Sequence, residues 1–467
     1  MEKKYNTTRE TWGSKFGFLM ATAGSAVGLG NIWKFPYLAK ENGGAVFLFV
    51  YLIFMIIIGM AVMLAEFAVG RATHLNPIGA FRKLNPKYTW VGILMVIGIF
   101  LMLSYYSVVG GWIVTYMVIS FKNFFYPSSV QVDYGNLFSK VISSPTESVS
   151  YLLIFLLINA AIVALGVRKG VEKTSKIMMP MLFIILILLV GRALTLDGAM
   201  EGVNFLLKPD FSQITPKLIL SAMGQVFLSL SLGIGCLLTY GSYLKKEDNL
   251  IRYSFLIPII DTCFSFVAGL MIMPALYSFG MQEKASGPGL IFCVLPEIFK
   301  KIPLGSFLML LFFLLVLCAA VTSSLSMLEE CVTFLVDEKQ MKRFKASIMT
   351  ILCAFVVGIP CALSFNKLSN ISLMGKSIFD VMDFSICEVL MPVCGVLLCY
   401  FVGHIWHKPK LQNGDFDFTS GGPLGEVTNN GKIKFYFAKM WIFLIQYVTP
   451  LLIIIIFLSS IFSLFKK

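Results

Sequence analysis

The stretch Gly24-Ser25-Ala26-Val27-Gly28-Leu29-Gly30-Asn31 stands in the middle of the first long apolar segment, residues 13–38. Glycines and an asparagine are poor material for an uninterrupted helix in lipid, since each glycine costs about 0.8–1 kcal/mol against alanine in a helix interior. Lipid offers nothing to the backbone groups a break would free. Unwound helix at membrane depth is therefore tolerated only where it is buried in protein or lines a cavity. Two readings follow: close glycine packing against a neighbouring helix, or a break whose bared N–H and C=O groups receive ions and small charged ligands.

The rest of the chain puts this stretch in a membrane. Its 467 residues are 57% hydrophobic and only 13% charged, with a mean hydropathy of +0.83, which implies an all-α polytopic membrane protein. The polar start, Met1-Glu2-Lys3-Lys4-Tyr5, and the glycine-broken first segment do not read as a signal peptide. The ten cysteines lie mostly inside apolar spans without metal-ligand spacing, so they read as small packing residues. The net charge of +13 comes from basic residues in short loops; that pattern signals topology and not nucleic-acid binding.

Segments long enough to cross a hydrocarbon core of about 30 Å fall at 13–38, 44–69, 90–122, 149–167, 174–195, 217–243, 251–279, 304–336, 346–365, 376–405 and 438–464, about 11 transmembrane helices. An odd number puts the termini on opposite sides. With the N-terminus cytoplasmic, 24 of the 38 Lys and Arg residues fall on that side, which predicts N-terminus in and C-terminus out. The sixth segment is broken too: in residues 225–235, Gln225 through Gly235, glycine and serine again interrupt an apolar helix. The first and sixth segments each open a group of five. Interrupted helices at corresponding places in two halves point to a 5+5 inverted repeat with broken helices 1 and 6 and a site at the midplane. The repeats are expected at about 10–197 and 213–407, with an additional helix at about 438–464, all in one transporter domain spanning residues 1–467.

At this point the motifs become familiar. Asn31-Ile32-Trp33-Lys34-Phe35-Pro36, Glu41-Asn42-Gly43-Gly44, Gly202-Val203-Asn204-Phe205 with Pro209-Asp210-Phe211, Gly287-Pro288-Gly289-Leu290 and Thr322-Ser323-Ser324 resemble the neurotransmitter:sodium symporter family, in order, over nearly the whole chain. The chain looks like the eleven-span bacterial members of that family, among them leucine and tyrosine transporters. The resemblance implies sodium-coupled amino-acid transport across the bacterial inner membrane, with the amino acid and sodium ions as small-molecule partners.

A zwitterion at the midplane needs a partner at each end; half-helix N-termini suit its carboxylate and half-helix carbonyls suit its amine or Na⁺. The resemblance gives Leu29 and Gly30 as backbone donors to the carboxylate and Tyr106 as a hydroxyl donor. It gives a first sodium site from the Ala26 carbonyl, Asn31, Ser229 and Asp261, and a second from the carbonyls of Gly24, Val27 and Ala319 with the hydroxyls of Thr322 and Ser323. These are hard oxygen donors, suited to a hard cation and not to zinc or copper. The substrate side chain should meet Met102, Tyr106, Leu228, Ser229, Ser231, Ile234, Ser323, Ser326 and Met327. Leucine-selective relatives carry two phenylalanines where Leu228 and Ile234 stand. The wider pocket predicts a larger hydrophobic or aromatic amino acid such as tyrosine, tryptophan or phenylalanine, with Met102 and Met327 able to repack.

Asp261 is the most informative single residue, because an ionisable side chain inside a span is by default functional. Chloride-dependent relatives hold their anion at the places of Tyr51, Gln225, Ser229 and Ser265. A carboxylate at Asp261 would supply that negative charge itself and repel chloride, unless burial keeps it protonated. Glu66 is expected to accept hydrogen bonds from N–H groups freed at the first break. Gates are expected from Lys34 with Asp383 at the outer mouth and Arg9 with Asp337 at the inner one. The Lys34 gate should be the looser, since lysine cannot form a bidentate fork.

An enzyme would need a nucleophile, base or metal cluster, and His74, His404 and His407 sit at loop edges with no triad or ligand spacing. Two other readings stay open: a substrate-binding sensor or scaffold that does not transport, and a proton-coupled transporter using Asp261 or Glu66.

Overall fold

The computed structural model describes residues 10–126, 133–284, 287–373, 375–407, 410–412, 415–417 and 421–465. The protein is all-α. Among the described residues the one exception is a short antiparallel pair, Lys410–Gln412 with Asp415–Asp417, which lies in a loop outside the spans.

The first span is made of α1 (Lys15–Ala26) and α2 (Gly30–Glu41), bent by 54° at the break between them. Ser14 starts α1 by accepting the Gly17 N–H at 3.0 Å, as an N-cap serine should. The helix stops at Val27, whose ψ of 97° is extended. Then follow α3 (Ala45–Thr73), α4 (Pro86–Phe125), α5 (Pro145–Val163) and α6 (Val167–Leu194). The second broken element is α7 (Pro216–Ser229) and α8 (Cys236–Gly241). Thr215 caps α7 on the Leu218 N–H, with Pro216 at the first helical position where its missing N–H does no harm. The chain continues through α9 (Leu250–Ser278), α10 (Gly305–Lys339), α11 (Arg343–Leu363), α12 (Ile378–Trp406) and α13 (Ala438–Phe462).

Nine of these helices among the described residues are long and apolar enough to cross a membrane, and the bent α1–α2 pair makes a tenth. The segment expected as the sixth span falls short of that measure because neither α7, at 14 residues, nor α8, at 6, crosses alone.

Burial sorts the helices by role. In α10, 78% of the apolar window is buried within the protein, against 28% in α13, so α10 runs through the middle and α13 faces lipid at the rim. The heaviest packing is of α10 on α4, with α6 and α1 also against α10, while α13 packs on α12. Both breaks thus lie in the interior, where freed backbone groups can find partners.

Candidate functional site

Around the first break, glycine serves close approach. A Cβ at Gly24 would stand 2.9 Å from Thr322 Cβ, and one at Gly28 would stand 2.6 Å from Ser323 Oγ. Small residues here let α10 lay its hydroxyls against the bared α1 backbone. Ser323 Oγ sits 3.2 Å from Gly24 O and 3.4 Å from Val27 O, and Thr322 Oγ1 sits 3.2 Å from Ala319 O. Three oxygens of the expected second sodium site are thus joined through Ser323, while Thr322 Oγ1 bonds back within α10 to Cys318 O at 2.9 Å as well as to Ala319 O. Asn31 turns its own Oδ1 back to accept the Gly28 N–H at 2.9 Å, which holds the break open.

The second break is built differently. Ser231, Gly233 and Gly235 take positive φ values of 51°, 82° and 88°, so here glycine is needed for left-handed backbone. Glu66 is buried against it and accepts from the Gly233 N–H at 2.6 Å and the Leu238 N–H at 3.2 Å. The freed donors that Glu66 satisfies belong to the second break and not to the first, which corrects the sequence reading. The reason is packing: α3 runs beside α8.

Asp261 lies between the two breaks, fully buried. It accepts from Tyr51 Oη at 3.1 Å, from Ser229 Oγ at 2.9 and 3.0 Å, and from Asn31 Nδ2 at 2.7 Å. Asn31 Nδ2 also lies 2.7 Å from Ser265 Oγ and 3.0 Å from Ser229 Oγ. An amide with two hydrogens thus faces three oxygens, an environment rich in hard donors. Gln225 reaches the Gly30 carbonyl through Nε2 at 3.4 Å, and its Oε1 is buried without a partner. The oxygens gathered here come from a carboxylate, hydroxyls and amides, all hard donors.

A cavity of about 330 Å³ opens beside both breaks. Of the residues expected around a substrate, it is lined by Ala26, Leu29, Gly30, Met102, Tyr106, Leu228, Ser229, Ser231, Ser323 and Met327. Tyr106 Oη is buried there without a hydrogen-bond partner, and its nearest polar neighbours are Ser323 and the Leu29 backbone. Ile234 and Ser326 do not line the cavity. Ile234 follows the left-handed turn at Gly233 and is fully buried behind it, and Ser326 spends its hydroxyl on the Ser323 carbonyl at 2.7 Å.

Sequence reasoning missed part of one wall. Phe379 and Cys387 of α12 line the cavity with Asp383. They stand at i, i+4 and i+8 around Asp383, so helical spacing from that residue would have found them. Tyr105 was also missed; its hydroxyl lies 3.1 Å from Cys387 Sγ.

Lys34 and Asp383 both line the cavity, but no ion pair joins them. Asp383 accepts instead from Cys387 Sγ at 3.5 Å. Trp12, which does not line the cavity, is buried. It meets Phe18, Tyr240 and Tyr243 edge-on at centroid distances of 5.6, 5.2 and 6.0 Å and donates Nε1–H to the Tyr240 carbonyl at 3.1 Å. Asp337 accepts from Asn76 N and Nδ2 at 3.0 and 3.1 Å; its expected partner Arg9 lies outside the described residues.

Comparison with known proteins agrees with this geometry. The model of the sodium:neurotransmitter symporter family matches residues 9–136 and 123–467. The chain is 42% identical over 452 residues to an uncharacterized sodium-dependent transporter of Bacillus subtilis, covering 96% of this chain and 97% of that one. It is 29% identical to a sodium- and chloride-dependent taurine transporter of Canis lupus familiaris, over 89% of this chain and 74% of that one. The crystal structure of MhsT in complex with L-phenylalanine superposes with a TM-score of 0.85 at 38% identity, covering 97% of this chain and 100% of that one.

Proposed function

Since the chain belongs to the sodium:neurotransmitter symporter family, whose members are multi-pass membrane transporters and not enzymes, we propose that it imports a hydrophobic or aromatic amino acid with Na⁺, by alternating access and without chloride. The observation that carries this reading is one cavity lined by the bared backbone of α1 and the unpartnered Tyr106 hydroxyl, with Asp261 held just behind its wall by hydrogen bonds from the lining residues Asn31 and Ser229.

In this reading the substrate carboxylate takes the Leu29 and Gly30 N–H groups and the Tyr106 hydroxyl. Two sodium ions bind, one beside Asn31, Ser229 and Asp261 and one at the Gly24, Val27, Ala319, Thr322 and Ser323 oxygens. Asp261 fills the anion position among Tyr51, Gln225, Ser229 and Ser265 with a fixed charge, so a chloride ion there would meet short-range repulsion. Leu228 with Met102 and Met327 leaves an apolar, adaptable wall for a large side chain, consistent with the phenylalanine bound by MhsT. We take the α7–α8 pair as one broken span corresponding to α1–α2, within repeats at about 10–197 and 213–407, with the N-terminus cytoplasmic.

Uptake of tritiated L-phenylalanine into proteoliposomes tests the whole reading. Uptake should require an inward sodium gradient, persist when gluconate replaces chloride, and be competed by tyrosine and tryptophan. Collapse without chloride would overturn the role of Asp261, and competition by alanine or leucine but not by aromatics would overturn the substrate class.

A further inference from the structure

One buried acid has no role in transport so far and no partner. Glu330 lies on α10, about two helical turns past Thr322 and Ser323. It is fully buried, and neither carboxyl oxygen has a hydrogen-bond partner. Its sequence neighbour gives the contrast: Glu329 accepts from Tyr243 Oη at 2.7 Å and Thr333 Oγ1 at 3.2 Å and is ion-paired with Arg343. Glu66, the nearest other buried acid, has the Gly233 and Leu238 N–H groups.

The titratable groups that face Glu330 are Glu66 from α3, the thiols of Cys236 from α8 and Cys394 from α12, and Cys331 on its own helix; none is basic. Gly235 abuts it so closely that a Cβ there would stand 2.6 Å from Glu330 Oε1. An ionised carboxylate without a donor or cation loses several kcal/mol of hydration, and here a second carboxyl stands nearby. A neutral acid avoids both terms.

We propose that Glu330 is a proton-binding site of the transport cycle. It holds H⁺ while packed against the second break, and releases it when α8 moves away: the O–H bond breaks, the electron pair stays on the carboxylate, and the proton passes to water. The covering element also carries Tyr240, which with Tyr243 just beyond it packs on the Trp12 ring, so movement of α8 would undo both contacts. This inference rests on the symporter reading.

Tritiated L-phenylalanine uptake under an inward sodium gradient, with lumenal pH stepped from about 6 to about 8 at fixed external pH, should rise severalfold in the wild type, within the limit of about tenfold per pH unit that one linked proton sets. E330Q should keep sodium-dependent phenylalanine binding and show a flat pH profile. Glu330→Met should behave alike, since an unbonded neutral acid is replaceable by an apolar side chain of its length. Three results would overturn the assignment: wild-type uptake insensitive to lumenal pH, E330Q with the wild-type profile, or failure of both variants to fold. Sodium-independent binding in the wild type would instead overturn the symporter reading itself.

Discussion

The two breaks contain the same residue types and solve different problems. At the first, between α1 and α2, Gly24 and Gly28 have ordinary backbone and are small so that Thr322 and Ser323 of α10 can come close. At the second, Gly233 and Gly235 have positive φ, and a carboxylate from another helix, Glu66, takes the N–H groups this sets free. The first break turns its backbone toward a cavity and the second turns its backbone toward an internal cap. One is built to bind and the other to hold shape.

The strongest test of that contrast is removal of the cap. Glu66→Ala would leave the Gly233 and Leu238 N–H groups buried without an acceptor, at about 1–3 kcal/mol for each. We expect a large fall in melting temperature of the purified protein and loss of uptake; a variant that melts like the wild type would break the assignment of the second break as a shape-holding element. A paired test on glycine comes next. Gly233→Ala must place a side chain in left-handed backbone, at about 1–2 kcal/mol, and should lower thermal stability while leaving apparent sodium affinity nearly unchanged. Gly28→Ala should do the reverse, melting near the wild type but binding sodium roughly tenfold more weakly, about 1.4 kcal/mol, because the new methyl displaces the Ser323 hydroxyl. Exchange of these two outcomes in thermal-shift and sodium-titration experiments would refute the comparison. The smallest effect is expected at Lys34, which lines the cavity with Asp383 but is not paired with it: Lys34→Ala should change uptake by less than about 1 kcal/mol equivalent, the scale of an exposed ion pair.

What was legible in the sequence was whatever stood out against an apolar background. Gly24 to Asn31, the serines and glycines of residues 229–235, and Asp261 are conspicuous because membrane spans tolerate such residues only with a reason. What was hidden depended on how helices distant in the chain approach each other. Nothing local says that Glu66 of α3 caps α8, or that Glu330 has no partner while Glu329 has three. Ile234 was misplaced for a more specific reason. Helical periodicity carries a side chain's direction only through continuous helix, and the positive φ values at Ser231 and Gly233 reset that phase before Ile234 is reached. The α12 wall was missed although its signal was present, since Phe379 and Cys387 repeat at the spacing that Asp383 sets.

The Trp12 cluster has a consequence for leakage. Three edge-on ring contacts at about 0.5–1.5 kcal/mol each and a buried indole hydrogen bond of about 1 kcal/mol together amount to about 4 kcal/mol. These contacts share one indole, so a movement that withdraws Trp12 loses all of them together. An energy gap of that size leaves roughly one molecule in a thousand open at rest. Idle sodium slippage should therefore be rare but measurable, and the bound cargo must favour the open form by a comparable amount for each turnover to proceed.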